Sequence, residues 1–133
     1  MDDGLRGFVR RRAGNHCEYC GVHQSYYPDF AFHIEHIIAK QHGGSDDPQN
    51  LALACHLCNS RKGPNLSGLD PETGVLTRLF NPRTDVWDDQ FRLNIEGQIV
   101  GLKAIGRTTA YVLGMNAEIR IRIRREILRL EKD

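Results

Sequence analysis

Chemistry-bearing residues of this 133-residue chain gather in two places. All four cysteines stand in two doublets, Cys17-Glu18-Tyr19-Cys20 and Cys55-His56-Leu57-Cys58, with 34 residues between them. Each C-x-x-C spacing lets two sulfurs approach one ion from a tight turn. Four thiolates complete the tetrahedron that Zn²⁺ prefers and leave no position open for water. The doublets therefore predict a structural zinc held by Cys17, Cys20, Cys55 and Cys58. Two disulfides are the alternative, disfavoured in the reducing cytosol.

The second place is His33-Ile34-Glu35-His36-Ile37-Ile38, where three ionisable side chains crowd into four positions of a strand-like run. A half-buried strand alternates polar and apolar residues, so the consecutive pair Glu35-His36 sends one charged group to each face. One of the two must be wanted somewhere unusual.

The elements that position these residues can be sketched from the pattern. Residues 5–13 suit a short helix with Leu5, Phe8 and Val9 on one face and a stop at Gly14-Asn15. A strand over about 31–38 leads into the turn-rich loop QHGGSDDPQN, 41–50, and Leu51-Ala52-Leu53-Ala54 suits a second strand. The second doublet then opens a helix that Gly63-Pro64 ends. Farther on, Phe91 to Ile95 and Ile99 to Lys103 suggest a hairpin, followed by helices from about Thr108 and about Ala117. In the last helix Ile119, Ile123, Ile127 and Leu130 form one stripe, expected to face inward.

Bulk composition is uninformative about partners, since 18 Lys+Arg against 17 Asp+Glu leave a net charge of +1. The local exception is residues 116–130, with arginines at 120, 122, 124, 125 and 129. No apolar run approaches a membrane span, and the N-terminus carries Asp2-Asp3 in place of a basic leader, so a cytoplasmic protein without a membrane partner is expected.

With the doublets placed, Glu35-His36-Ile37-Ile38, GGSDDPQNL at 43–51 and CHLCNSRKG at 55–63 together resemble the HNH endonuclease family, over about residues 10–66. The three family positions fall on His36, Asn50 and Asn59, and the cysteine doublets are similar to the knuckles that brace the ββα-metal core in many members. The resemblance implies a zinc-braced HNH core over 1–66, and the pattern of the remaining residues adds an auxiliary α+β extension over 67–133 with a β-hairpin and helices, for an α+β fold overall. It also implies a metal-dependent endonuclease or nickase acting on DNA, with RNA as the other substrate class. His36 would be the general base, Asn50 would fix the loop and orient the base, and Glu35 and Asn59 would hold a divalent ion such as Mg²⁺. Elementary chemistry agrees, because an imidazole accepts a proton near neutrality and hard oxygen donors suit Mg²⁺.

If Glu35 and His36 both serve one phosphate, the strand should depart from regular pleating. His33 is then a surface residue, a supporting partner or an extra ligand. Arg61 and Lys62 are candidates for contacting phosphates beside the cut, or are solvated charge at a helix end. Ala39 stands where many relatives have proline. The segments LFNPRTDVW and GLKAIGR resemble tails that follow such cores in short bacterial proteins, and no activity attaches to them. The rival reading is a non-catalytic zinc-ribbon module that binds nucleic acid or protein, which would need the cysteines but not Glu35, His36 and Asn59.

Overall fold

The computed structural model describes residues 1–132 and has a mixed α+β architecture of small antiparallel hairpins and helices. Its contacts divide the chain into two units, one of Met1–Leu66 with Asn81–Asp85, the other of Ser67–Phe80 with the residues from Val86 on.

The first unit opens with α1, Asp3–Arg12, whose N-cap Asp2 accepts a hydrogen bond from the Leu5 amide at 2.7 Å. Gly14 and Asn15, both at positive φ, end the helix where the sequence places a stop. Of the expected apolar face only Val9 is fully buried, and Phe8 is exposed beneath the Arg12 guanidinium. The helix is instead fastened by its arginines: Arg10 donates to the Phe32 carbonyl at 3.0 Å, and Arg12 to those of Pro48 and Leu51 at 3.0 and 2.7 Å.

Two short strands follow, β1 (His33–His36) and β2 (Leu51–Ala54), antiparallel in the register His33 to Ala54 through His36 to Leu51. Every residue of β2 is buried, as a central apolar run should be. Its outer edge is covered by the first cysteine knuckle, since Glu18 N–H donates to Leu53 O and Leu53 N–H donates to the Glu18 carboxylate, both at 2.8 Å. Then α2, His56–Lys62, starts at its N-cap Cys55 and stops at Gly63, whose φ is +49°.

The second unit contains the expected hairpin, β5 (Phe91–Leu93) with β6 (Ile99–Gly101), preceded by β3 (Ser67–Leu69), β4 (Leu76–Arg78) and a single turn α3 (Trp87–Gln90), and followed by α4 (Ala104–Val112) and α5 (Glu118–Glu131). The β3–β4 hairpin was not foreseen. Its turn, Asp70-Pro71-Glu72-Thr73-Gly74, is built on the buried Asp70 carboxylate, which Arg107 of α4 grips through two nitrogens at 3.1 and 2.8 Å. Trp87 and Phe91 pack ring to ring at 5.1 Å, and Phe80 meets Phe91 edge-on at 5.2 Å.

The inward stripe expected of α5 is only partly kept. Ile123 and Ile127 are half-buried and Ile119 and Leu130 exposed, while the fully buried residues of the helix are Arg120 and Arg124. Arg120 donates to Leu113 O at 2.7 Å, and Arg124 to Gly97 O at 2.7 Å and to Met115 O. Periodicity counts apolar residues, but here the guanidiniums satisfy carbonyls that would otherwise be buried without a donor. Gly97, at φ +87°, allows this approach, because a Cβ there would lie 2.5 Å from Ile121 O. Among the described residues no helix is long and apolar enough to cross a membrane.

Candidate active site and metal centre

The four cysteines converge. Their sulfurs lie within 4.8 Å of one another, all four residues are buried, and none is in a disulfide. Cys20 Sγ and Cys55 Sγ are 3.8 Å apart, the edge of a tetrahedron with Zn–S bonds of about 2.3 Å being about 3.8 Å. The two doublets are built alike: Cys20 N–H points to Cys17 Sγ at 3.5 Å and Cys58 N–H to Cys55 Sγ at 3.4 Å. Gly21, at φ +84°, closes the first knuckle, and the start of α2 closes the second. Burial, then the neighbouring sulfurs, push the Cys17 thiol well above its usual range, so several thiolates share this pocket only around a cation. The donor set, burial and spacing fit structural zinc.

His36 ends β1 half-exposed, and its Nε2 lies 2.7 Å from Asp46 Oδ1 in the loop between the strands. Hydrogen bonding to His36 is the main cause that holds the Asp46 carboxyl below its ordinary value, with Lys40, 3.4 Å away, adding to it. An ionised carboxylate only accepts, so Nε2 carries the proton and Nδ1 is left with a lone pair. Asn50 fixes the loop that carries Asp46. Its Oδ1 accepts from Ile38 N–H at 2.8 Å, and its Nδ2 donates to Ile38 O at 3.0 Å and Ser45 O at 2.9 Å. The Gly43-Gly44 pair makes that closure possible: Gly43 adopts φ +89°, and a Cβ on Gly44 would fall 1.7 Å from Ile38 O. Ala39, at φ −60°, already holds the angle a proline would impose.

Residues 17–65, which span both knuckles, His36, Asn50 and Asn59, match the family model described as HNH endonuclease. They form an HNH endonuclease domain. Comparison with curated proteins and with solved structures finds no match. Membership implies nucleic acid as the partner of the HNH domain.

Within that domain the structure does not bring Glu35 and His36 to one place. The β1–β2 ladder is regular, with no bulge, so the two side chains leave on opposite faces. Glu35 points inward and is only 5% exposed. Its Oε2 accepts from Tyr19 Oη–H at 2.7 Å, and its Oε1 faces Lys62 Nζ at 2.6 Å. Nζ also donates to Ile37 O at 2.9 Å, so the ammonium bridges the carboxylate and that carbonyl. Burial raises the Glu35 carboxyl above its normal range, and Lys62 opposes the rise.

Lys62, expected with Arg61 beside the phosphates, is 2% exposed and so has no surface to offer a phosphate; Arg61 is exposed. The expected pair for a divalent ion, Glu35 with Asn59, therefore does not fit that ion as arranged: Asn59 is half-buried on α2, but the Glu35 carboxylate is buried and already neutralised. His33 is exposed and meets His56, with Nε2 and Nδ1 3.4 Å apart. Asp46 escaped the sequence reading because a loop, with no period of its own, sets its distance from His36. The only hint was its place in the turn-forming run before Asn50.

Proposed function

We propose that the HNH domain hydrolyses phosphodiester bonds in DNA, with His36 as the general base. The observation that carries this reading is the half-exposed His36 imidazole held through Nε2 by Asp46, which leaves Nδ1 free to take a proton from water. The hydroxide so formed attacks phosphorus, one P–O bond forms as another breaks, and the departing oxygen takes a proton from solvent. Asp46 keeps the ring in the required tautomer and steadies the imidazolium that results. Asn50 holds the loop that delivers Asp46, and exposed Arg61 offers a cation for the backbone. The cysteine cluster binds one structural zinc, which supports α2 and the first knuckle.

The test is a plasmid-nicking assay with Mg²⁺. His36→Ala should lower the rate by ~10²–10⁴ while circular dichroism and zinc content stay as in the wild type. Cleavage by His36→Ala at the wild-type rate removes His36 from the mechanism. Cleavage of RNA duplexes but not of plasmid would change the substrate and keep the site. The rival reading, a non-catalytic zinc-ribbon module, draws support from the neutralised Glu35 carboxylate. It predicts nucleic-acid or protein binding without cleavage by wild type or variant.

A further inference from the structure

Phe30, in the loop before β1, is 65% exposed. A single exposed ring is ordinary on a protein surface, but this one stands over a cavity of about 180 Å³ that Tyr27, Phe32 and Leu57 line with it. His56, the first residue of α2, forms another wall: its ring lies within 25° of parallel to Phe30, with centroids 6.4 Å apart. That separation is well beyond the roughly 3.4 Å step of stacked bases and close to the two steps that a third ring between them would need. Phe32 is buried and gives the cavity an apolar floor. Polar atoms stand at the rim, where exposed His33 and His56 meet through Nε2 and Nδ1 at 3.4 Å, which leaves each ring its second nitrogen. Apolar faces with a few polar atoms at the edge suit a nucleobase, whose faces are π-surfaces and whose rim carries donors and acceptors.

The cavity belongs wholly to the HNH domain, for which family membership implies nucleic acid as the partner. It also adjoins the elements that carry the site: His33 precedes His36 by three residues of β1, about 10 Å, and His56 precedes Asn59 by three residues of α2. Continuous duplex keeps its bases stacked and paired, whereas an unpaired base enters such a slot at little cost. We infer that Phe30 and His56 form a slot for one unpaired nucleobase of the DNA bound by the HNH domain, so that the domain prefers DNA with an unpaired base near the cut over continuous duplex. The slot selects strandedness and not sequence, since every base has a π-face. This inference rests on the nuclease reading for its DNA partner and names the substrate class of that site.

Binding of a short oligothymidylate strand, measured by fluorescence anisotropy on the full zinc-loaded chain without added Mg²⁺, tests it. Phe30→Ala should weaken binding roughly 5–150-fold, the loss of one stacked base. Affinity for a closed continuous duplex, and for a strand of the same length that lacks its bases, should stay as in the wild type. Phe30→Trp should restore oligothymidylate binding, and the strand should quench the fluorescence of the added indole. Because the Phe30 ring is largely in solvent, the fold should survive both changes, and unchanged zinc content checks that it does. Equal oligothymidylate affinity in wild type and Phe30→Ala, or a loss shared by the closed duplex and the baseless strand, would overturn the inference. So would a wild type that binds no single strand, which would leave the slot to an apolar side chain of a protein partner. Failure of the nuclease reading looks different: the wild type would cleave nothing once Mg²⁺ is added, while oligothymidylate still bound through Phe30.

Discussion

Replacing Asn50 by alanine deletes three hydrogen bonds at once, one accepted from Ile38 N–H and two donated to Ile38 O and Ser45 O. Each is worth ~0.5–1.5 kcal/mol net. Because the loop is solvent-accessible and water can replace part of what is lost, the low end of the sum applies, about 1.5–2 kcal/mol. Most of that loss should appear as local opening of residues 43–50, since β1 and β2 keep their own ladder. Amide hydrogen exchange reads the effect directly. The Ile38 amide, which donates to the deleted side chain, should exchange roughly 10–30-fold faster, at 1.4 kcal/mol per factor of ten.

The amide of Leu53, which donates to Glu18 on the far edge of β2, is the internal control and should change little. Cleavage should fall with Ile38 protection, because Asp46 rides on the same loop and loses its fixed distance to His36. Asn50→Asp preserves the acceptor but sets a carboxylate oxygen against the Ile38 and Ser45 carbonyls, so it should open the loop at least as far. Ile38 exchange within twofold of the wild type in Asn50→Ala would refute Asn50 as the brace. Acceleration shared equally by Leu53 would show general destabilisation instead.

Three further outcomes follow from other parts of the molecule. Metal analysis should find one zinc per chain, and Cys55→Ser or a strong chelator should unfold the first unit, because binding energy of such sites is coupled to folding; a stable, zinc-free wild type would exclude the site. Arg124→Met should lower the melting temperature by several degrees, through carbonyls of Gly97 and Met115 left without donors, whereas Arg122→Ala with Arg125→Ala should change it little and test the DNA footprint through the salt dependence of binding. Asp70, whose carboxyl the Arg107 guanidinium holds below its ordinary value, stabilises the second unit above about pH 4, the ordinary carboxyl range. That contribution is lost as pH falls toward the depressed value, so acid unfolding should flatten in Asp70→Asn, and an unchanged acid transition would assign the pH dependence elsewhere.

What was legible in the chain was local. The cysteine spacing announced a four-sulfur cluster, because a C-x-x-C turn fixes the direction of two sulfurs whatever surrounds it. The Leu51–Ala54 strand was readable to the residue, since four apolar side chains between a polar loop and a helix cap leave few alternatives. Gly43, Gly44 and Asn50 were recognisable as loop formers, and His36 as a candidate base.

Only the tertiary structure decided which charges meet. Lys62 stands at the end of a short helix beside Arg61, and nothing local separates a lysine that will be buried from one that will be solvated. The difference comes from Glu35 and the Ile37 carbonyl, 25 or more residues earlier in the chain, which the β1–α2 packing brings under it. The Asp46–His36 bond and the burial of Arg120 and Arg124 in α5 have the same origin. An aspartate in a turn-rich loop and an arginine on a helix acquire their roles from distant partners, carbonyls and imidazoles, that hydrophobic periodicity does not count.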